Sequence, residues 1–530
     1  MSDSFDIIIV GSGPAGVSAA FPLVQAGLKV LMVDGGHEAN LTPPSSPFLT
    51  ERFGNEDQWR WMVGEDFYAL KQMNAVSPKL RAATHQYVFN DFIAKNNIES
   101  ENFIAIGSLA KGGLSNAWGC GVACLSEQEL ADYPFPVIDI MQSYETVTRR
   151  IGVSGAHDDD LSGYFGVDSW SQPPIPMDEL HQRIFARYLS SKPKLVSLGF
   201  RLGRSRVAVL SKGIGERRAC DITGNCLWGC HQNAMYTSVD ELPSLLQHNN
   251  FYYQSGFVVD QINKNRESVA IEGQYERERK TITAKKILLA AGTLATTKLA
   301  LHALNFEPTV RLQSCPTAAF LLWIPKMLGT PRKNSFGLGQ LSFSLNVSDG
   351  ISAFGSTFST VGIPVSEFVR HMPLCKRYSI DLLHSLLGSC LVGNMFLPGH
   401  LSTTEVSVNT SGELKISGGY SNAVSGLMSD AEARLQKSFW KVGTLLLPKS
   451  FTQGLPGGDI HYSSTLPMCN NPKIGQTNSN GELAGLEGVY IVDGACLSTL
   501  TEKSHTLTIM ANADRIGRIL AIQMTGKSFI

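Results

Sequence analysis

The sequence predicts two fold classes in one chain: a discontinuous, Rossmann-like α/β domain and an α+β domain with an antiparallel sheet. An apolar strand leads through a glycine-rich turn into a helix at residues 6–25, and a comparable strand, loop and helix lie at 489–511. Between them, residues 338–347 alternate between apolar and polar side chains, which is typical of a half-buried antiparallel strand. Because 530 residues are too many for one core, we expect two closely joined domains.

Composition and charge exclude several functions. The 45 basic and 46 acidic residues give a formal net charge of -1, so nucleic acid is not expected as a partner. Ten cysteines without a regular framework indicate reduced thiols. The first strand begins almost at the N-terminus, so no targeting segment is predicted and a cytoplasmic location is the default expectation. The apolar windows 318–324 and 382–397 are too short to span a bilayer and are expected in the core, with a hydrophobic substrate lip or membrane-facing loop as the alternative.

The N-terminal glycines form a dinucleotide-binding fingerprint. Gly11 permits the tight turn, Gly13 lets a pyrophosphate approach the backbone, and Gly16 allows the helix to pack on the strand. Ser12 lies within this turn. Asp34 ends the second strand, where its carboxylate can accept hydrogen bonds from a ribose. The fingerprint predicts a nucleotide cofactor without distinguishing FAD from NAD.

Two irregular segments follow the fingerprint. Residues 40–99 have poor periodicity and are interpreted as loops and short helices that cover the nucleotide. A glycine-rich turn then carries Gly113, Ser115, Asn116 and Trp118, and its small residues would allow the backbone to contact a flat ring. An ordinary glycine-rich turn remains the alternative interpretation.

The next segments contain acidic and cysteine-rich runs. Asp158, Asp159 and Asp160 are predicted to lie in a solvated loop. Residues 220–231 contain three cysteines and a histidine, but their spacing lacks the paired cysteines of zinc sites and matches neither common ferredoxin pattern. A tight turn with buried thiols is therefore favoured over a bound metal.

The central sequence returns to regular elements. Residues 251–262 and 271–282 are predicted to form paired strands. Residues 285–291 form a further strand that ends at Gly292 and leads into a helix at 295–303, which returns the chain to the nucleotide sheet.

The segment from 306 to 455 has a different pattern. Residues 406–408 and 414–416 are predicted to form a hairpin. Ser429 and Glu432 have the spacing of a capping box, which predicts a helix from there towards Leu447.

His461 is the candidate catalytic base. A single histidine is more often structural, but His461 lies just before the second nucleotide-proximal stretch. Imidazole titrates near neutral pH, so it can take a proton from an alcohol while hydride leaves the carbon.

Taken together, the motifs resemble the glucose–methanol–choline (GMC) flavin oxidoreductases. The motifs that carry this resemblance, in order, are the opening fingerprint and residues 112–119, 290–301, 461–468 and 489–515. The resemblance implies FAD and the oxidation of an alcohol to a carbonyl by hydride transfer to flavin N5. It also implies an FAD-binding domain over 1–305, with insertions at about 40–99 and 150–205, a substrate-binding domain over 306–455, and a return to the FAD-binding domain over 456–530.

The resemblance also implies site residues. His461 takes the position of the base in the family's His-x-x-Gly-Thr-x-x-Met pattern, with Ser464 in place of the glycine. Ser504 and His505 occupy the positions of the Asn-Pro or His-Pro pair that partners this base, so either His505 is the partner or His461 works nearly alone. The implied cofactor-binding residues are Gly11, Ser12, Gly13, Gly16, Asp34, Gly113, Ser115, Asn116, Val259, Gly292, Asp493, Gly494 and Thr506.

The sequence also bears on how the flavin is attached and on the class of substrate. Ala117 stands where pyranose oxidases, which share the segment around Trp118, carry a histidine that can be linked to FAD, so noncovalent FAD is expected. That segment favours a sugar, a glycoside or another secondary alcohol, whereas the apolar windows favour a lipid or polycyclic alcohol. The electron acceptor is oxygen or another carrier, and an oligomer is possible. A redox-silent lyase and a scaffold with a vestigial nucleotide fold are the competing functions.

Overall fold

The structure is a computed structural model that describes residues 5–47, 49, 56–71, 77–369 and 372–526. The strands are β1 (Phe5–Val10), β2 (Val30–Val33), β3 (Ile98–Glu101), β4 (Phe200–Arg204), β5 (Phe251–Gln254), β6 (Val258–Lys264), β7 (Val269–Tyr275), β8 (Glu278–Leu289), β9 (Val310–Arg311), β10 (Gln313–Ser314), β11 (Thr317–Trp323), β12 (Leu341–Ser348), β13 (Ile351–Ser359), β14 (Cys390–Phe396), β15 (Glu405–Val408), β16 (Leu414–Ser417), β17 (Leu445–Leu446), β18 (Thr452–Gln453), β19 (Tyr462–Ser463) and β20 (Val489–Ile491).

The α-helices alternate with these strands mainly in the first 300 residues. They are α1 (Pro14–Gln25), α2 (Gln58–Met62), α3 (Tyr68–Lys71), α4 (Gln86–Phe89), α5 (Phe92–Lys95), α6 (Val137–Ile151), α7 (Ser162–Phe165), α8 (Glu179–Val196), α9 (Leu242–Leu246), α10 (Thr293–Ala303), α11 (Val365–Val369), α12 (Lys376–Leu386), α13 (Ala423–Lys441) and α14 (Thr506–Thr525).

The nucleotide sheet joins strands from both ends of the chain. Its order is β5-β2-β1-β8-β7-β6, and β20 pairs with β8 in parallel, beyond the end of β7. β1, β2 and β20 are apolar and almost entirely buried, as expected for parallel strands covered on both faces. On one face α1 packs against α14, where a Cβ on Gly517 would lie 2.7 Å from the Ala19 carbonyl oxygen. The predicted α/β fold is thereby confirmed.

The strand pairing between 251 and 289 differs from the prediction. Residues 251–262 contain two strands, because β5 pairs with β2 while β6 pairs with β7. The predicted strand 271–282 contains a tight turn at Glu276 and Arg277, and its second half belongs to the long strand β8. Both turn residues have positive φ without being glycine, so the sequence carried no glycine to indicate the turn.

The second sheet is antiparallel, as predicted, with the order β17-β11-β14-β13-β12-β4. One face is covered by α8 and α13, and its core includes Phe200, Phe343 and Phe439. The other face is the wall of a large cavity. Because side chains alternate along each strand, the sheet separates a hydrophobic core from a lining surface.

Residues 150–205 are not only loops. They supply α8 and the edge strand β4, which pairs with β12 across more than one hundred residues of sequence. The prediction of a solvated loop is also wrong for Asp159, whose carboxylate forms an ion pair with the buried Arg206 at 2.8 Å. Asp168 forms a second ion pair with the same guanidinium at 2.9 Å. An acidic run is normally solvated, and the distant arginine that neutralises it left no local signal in the sequence.

Other predicted elements have mixed outcomes. The hairpin at 406–416 is confirmed as β15 and β16. The capping box is wrong, because Ser429 lies inside α13 and its hydroxyl donates to the carbonyl of Ser425, one helical turn earlier. The window 318–324 lies largely in β11, and 382–397 divides between α12 and β14. Among the described residues, no helix combines the length and apolarity needed to cross a bilayer.

The segment 40–99 contains short helices, as predicted. Three parts of it, residues 48, 50–55 and 72–76, lie outside the described residues. Part of it, including Lys79 and Phe92, lines the cavity. The cysteines at 220, 226 and 230 are partly buried free thiols. Within the described chain, no group of three acidic, cysteine or histidine side chains is placed to hold a metal ion.

Candidate active site

A cavity of about 510 Å³ lies between the two sheets. One wall is formed by the carboxyl ends of β1, β2 and β8 with the loops that follow them, and the opposite wall by one face of β11–β14. Ligands of open α/β sheets bind at the carboxyl ends of the strands, so this is the expected position for a cofactor. The position allows one wall to hold the cofactor and the other to contact a substrate.

The glycine turn after β1 fits a phosphate-bearing cofactor. Gly11 has φ +109, and a Cβ there would lie 2.2 Å from the carbonyl oxygen of Ala290, so only glycine fits. Gly13 caps α1, and no side chain occupies the cap, which leaves the amide groups at the helix N-terminus available to an anion. Gly16 does not line the cavity. A Cβ on Gly16 would lie 2.0 Å from the carbonyl oxygen of Gly11, so its role is to pack the helix on the turn.

Asp34 lies at the end of β2 and faces the cavity. Its carboxylate accepts hydrogen bonds from the Tyr253 hydroxyl at 2.9 Å, from the Gly36 amide at 2.9 Å and from the Ser12 hydroxyl. Burial raises the pKa of Asp34, although these donors oppose the shift. Ser12 also accepts the Gly112 amide at 2.9 Å, so it ties the fingerprint to the next glycine-rich turn.

The second glycine-rich turn is a 3-10 turn over Gly113–Ala117 that lies against the fingerprint. A Cβ on Gly113 would lie 3.4 Å from the Cα of Gly13, and Gly113, Ser115 and Ala117 line the cavity. Asn116 does not line it. Its amide group instead donates to the carbonyls of Lys111 and Gly113, at 2.9 and 2.8 Å, and braces the turn.

The C-terminal stretch meets the helix that follows β8. The buried Asp493 carboxylate accepts hydrogen bonds from the Gly292 amide at 2.9 Å, the Ala495 amide at 3.0 Å and the Thr296 hydroxyl at 2.5 Å, and burial raises its pKa to about 6. Asp493 therefore fixes the end of β20 to the start of α10. The other predicted residues on the cavity wall are Val259, Gly292, Gly494 and Thr506.

These residues fit FAD. The open N-terminus of α1 and the adjoining glycines would hold its pyrophosphate, and Asp34 would hold the adenosine ribose. The turn Gly113–Ala117 and the Asp493–Gly494 backbone lie further along the same cavity, where they would contact the remainder of the cofactor.

His461 and His505 lie together in the cavity. Their ring centroids are 5.3 Å apart with an interplanar angle of 61°, and Phe396 packs on His461 with a centroid separation of 4.4 Å. Ser504 also lines the cavity, but its hydroxyl packs against Gly121, where a Cβ would come within 3.0 Å of it. Ser504 and His505 occupy the positions of the pair that partners the base in the GMC pattern. Of the two, His505 is the residue that lies beside His461.

The hydrogen bond of His461 determines which nitrogen is available for chemistry. Its Nδ1 lies 3.1 Å from the carbonyl oxygen of Asp459, which can only accept, so Nδ1 carries the proton and Nε2 keeps its lone pair. Burial lowers the pKa of His461 to about 4, and burial together with His461 lowers that of His505 to about 3. Both rings are neutral at pH 7, and His461 is ready to accept a proton.

Two backbone conformations around His461 are unusual. Ser464 has φ +68, the left-handed conformation that favours glycine, at the position where the GMC pattern has glycine. Ile460 has φ +66, which is rare for a β-branched residue and costs of order 1–3 kcal/mol. Ile460 and its neighbours, Asp459 and His461, all line the cavity.

Sequence reasoning missed the polar wall of the cavity that the antiparallel sheet forms. Ser342, Ser356 and Asn394 lie side by side on adjacent strands and line the cavity, together with Thr317. The alternation of β12 identified the polar face of that strand, but polar residues on one face usually indicate solvent. Asp459 was also missed, since a single acidic residue before a candidate base carries no pattern.

Comparisons with known proteins match both ends of the chain to flavoenzyme families. The pyridine nucleotide-disulphide oxidoreductase model matches residues 5–102, and the GMC oxidoreductase model matches residues 455–513. These two segments contain β1, β2 and β20, which meet in the nucleotide sheet.

One relative extends the similarity over nearly the whole chain, and a second matches less than half of it. The paromamine 6'-oxidase of Streptomyces fradiae is 21% identical over 548 aligned positions, which cover 98% of this chain and 91% of the relative. The 2-methyl-1,2-propanediol dehydrogenase of Mycolicibacterium austroafricanum is 26% identical over 248 positions, 44% of this chain and 39% of the relative.

A solved structure has the same fold. The crystal structure of pyridoxine 4-oxidase from Mesorbium loti superposes with a TM-score of 0.57 at 14% identity, and the match covers 97% of this chain and 99% of that one. The end-to-end agreement in fold and the GMC oxidoreductase model over the histidine-bearing C-terminal segment support one assignment: the chain is similar to the GMC oxidoreductases and is an FAD-dependent oxidoreductase.

Proposed function

We propose that this enzyme oxidises an alcohol to a carbonyl compound with His461 as the general base. The observation that carries the proposal is the hydrogen bond from His461 Nδ1 to the Asp459 carbonyl, which leaves the basic Nε2 in the cavity beside the FAD-binding wall. The three relatives named above are oxidases or a dehydrogenase whose names specify alcohol-bearing substrates, which agrees with this chemistry.

In the proposed reaction, the substrate hydroxyl lies between His461 and His505. His461 Nε2 accepts the hydroxyl proton as the carbon–oxygen double bond forms, and bound FAD supplies the acceptor for the hydride that leaves the same carbon. The neutral His505 holds the hydroxyl oxygen in place. The main contribution of the protein is to keep these groups within about 3–3.5 Å of the reacting atoms.

Several further features belong to the proposal. FAD is held noncovalently, since Ala117 offers no nucleophile at the cavity wall. The substrate is a sugar, a glycoside or another secondary alcohol, in agreement with the polar wall at Ser342, Ser356 and Asn394. Oxygen or another carrier takes the electrons from the reduced cofactor. The position of His505 beside His461 favours oxidation over the redox-silent lyase, the alternative that the altered Ser504-His505 pair left open.

An anaerobic titration tests the proposal. The purified yellow protein is mixed without air with sugars, glycosides, aliphatic diols and sterols while the visible flavin band is recorded. We expect one hydroxyl-bearing class to bleach the band and to yield the corresponding carbonyl product. Admission of air then separates an oxidase, in which the band recovers rapidly, from a dehydrogenase. If no alcohol bleaches the bound flavin, the proposed oxidation is refuted.

A further inference from the structure

An unpaired carboxylate lies in the cavity close to the candidate base. Asp459 lines the cavity, and its Oδ2 is buried and has no hydrogen-bond partner among the described residues. The hydroxyl of Thr317 is the neighbour that stabilises the charged form, and burial outweighs it, so that the pKa of Asp459 is raised to about 6. A buried carboxylate without a cation is unfavourable, so a site that keeps one is suited to a ligand that supplies the missing charge.

None of the titratable neighbours of Asp459 in the described chain supplies a positive charge at neutral pH. Burial, with the charge of Asp459 as a lesser cause, raises the pKa values of Cys315 and Tyr420, so both remain neutral. His461 is neutral because burial lowers its pKa to about 4. The nearby Glu502, which also acts on Cys315, is acidic. The electrostatic environment of Asp459 therefore favours a cation brought by the ligand.

The backbone holds this carboxylate at a fixed position relative to the base. Asp459 and His461 both line the cavity, and Ile460 between them has the unusual φ of +66. The backbone carbonyl of Asp459 accepts a hydrogen bond from His461 Nδ1 at 3.1 Å, so the imidazole is tied to the backbone that carries the carboxylate. A ligand whose hydroxyl reaches His461 would bring a nearby substituent to Asp459.

The cavity wall formed by the antiparallel sheet favours a polyhydroxylated ligand over an apolar amine. The Ser342 hydroxyl is 2.9 Å from that of Ser356 and 2.8 Å from that of Ser205, which gives a row of hydroxyls across the sheet. Asn394 Oδ1 accepts the Ser356 amide at 3.0 Å, which leaves its NH₂ group available to the cavity. Such a wall can donate to and accept from several sugar hydroxyls.

We propose that Asp459 binds a protonated amino group of the substrate, so that the alcohol oxidised at His461 belongs to an amino sugar or another amino alcohol. The inference rests on the proposed function for the identity of the reaction, but it concerns the charge of the ligand and can be tested by binding alone. It assigns to Asp459 a role in specificity, separate from the role of its carbonyl in fixing the tautomer of His461.

The test compares matched ligands with and without an amine. Glucosamine and glucose, and ethanolamine and ethylene glycol, are titrated into the FAD-loaded enzyme at pH 7.5 without air, and binding is measured by calorimetry alongside flavin bleaching. We expect the wild type to bind each amine at least about tenfold more tightly than its hydroxyl counterpart, as for a buried charge pair. Asp459→Asn should lose this preference, whereas Asp459→Glu should retain part of it. Asp430→Asn, which removes an exposed carboxylate on α13, is the matched control and should keep the preference.

Thermal unfolding distinguishes recognition from a structural role. A carboxyl group whose pKa is raised by folding destabilises the folded state at neutral pH, so Asp459→Asn should melt at the same or a higher temperature than the wild type. An equal affinity for amines and hydroxyl counterparts in the wild type, or an amine preference that survives Asp459→Asn, would overturn the inference. Amine binding that depends on Asp459 without flavin bleaching by any alcohol would refute the proposed oxidation and leave the role of Asp459 in amine binding standing.

Discussion

The removal of the His461 imidazole tests the proposed mechanism directly. A positioned general base contributes about 10²–10⁴ in rate, or roughly 2.7–5.4 kcal/mol of activation free energy. The structure indicates the lower end for His461→Ala, because His505 lies 5.3 Å away, is neutral, and has a buried Nδ1 with no partner in the described chain. It can take over part of the base function. We expect the rate of flavin reduction to fall about 10²-fold in the single variant and up to about 10⁴-fold in His461→Ala/His505→Ala.

The measurement is anaerobic stopped-flow absorbance at the flavin band, with the first alcohol found to bleach the wild type. His157→Ala, at an exposed histidine, is the matched control and should reduce at the wild-type rate. Because neither His461 nor His505 belongs to the glycine-rich turns that would hold FAD, the variants should keep their flavin spectrum. A His461→Ala enzyme that binds FAD and is reduced within about threefold of the wild-type rate would refute the assignment of the base.

Further predictions concern the cofactor, the backbone and pH. Gly11→Ala should purify without flavin absorbance, because the added Cβ meets backbone in a left-handed turn. Ser464→Gly should raise the free energy of unfolding by about 1 kcal/mol in denaturant titration, by relief of its positive φ. Acid or urea denaturation should release all FAD into the filtrate, because Ala117 cannot link to it. For kcat/KM, an amine substrate should lose efficiency below about pH 6, as Asp459 becomes protonated, whereas a neutral alcohol should lose it only towards pH 4, the range in which His461 is protonated.

Each of these predictions has a clear contrary outcome. A yellow Gly11→Ala protein would mean that the turn can move away from Ala290, and a less stable Ser464→Gly protein would mean that the hydroxyl contributes more than the strain costs. Flavin that stays with the denatured chain would show a covalent link. The neutral alcohol is the internal control of the pH test, because Glu502, whose pKa burial raises to about 7, changes its charge with either substrate, while Cys315 and Tyr420 keep their protons throughout the range. If kcat/KM falls at the same acidic pH for amine and neutral substrates, Asp459 is excluded from amine binding.

The nucleotide half could be predicted because its requirements are local. Gly11 and Gly16 each lie against backbone atoms that a side chain would overlap, so the chemistry of the turn is visible as residue identity. The Ser464 position illustrates the same point, because its positive φ preserves the glycine-like backbone of the family motif although the residue differs. Local conformational demands leave a signature in a single sequence.

Long-range partners leave no such signature. The edge strand β4 is defined by its pairing with β12, and Asp159 is buried only because Arg206 neutralises it. The capping box at Ser429 was a correct local pattern in the wrong place, since α13 had already begun at Ala423 and its apolar face packs on the sheet. Tertiary packing overrode the local signal in each case.

The two walls of the cavity divide chemistry from specificity. The proposed base and its partner, His461 and His505, and the glycine-rich turns belong to segments near the two ends of the chain, whereas Ser342, Ser356 and Asn394 belong to the central sheet. Their neighbours along each strand point to the opposite face and form the core beneath α8 and α13, so a substitution on the cavity side alters the lining without changing that core. Asp459 is the exception, because it joins both functions: its carbonyl fixes the base while its carboxylate faces the ligand. Exchange of its side chain should therefore change which alcohols are accepted without removing the hydrogen bond that prepares His461.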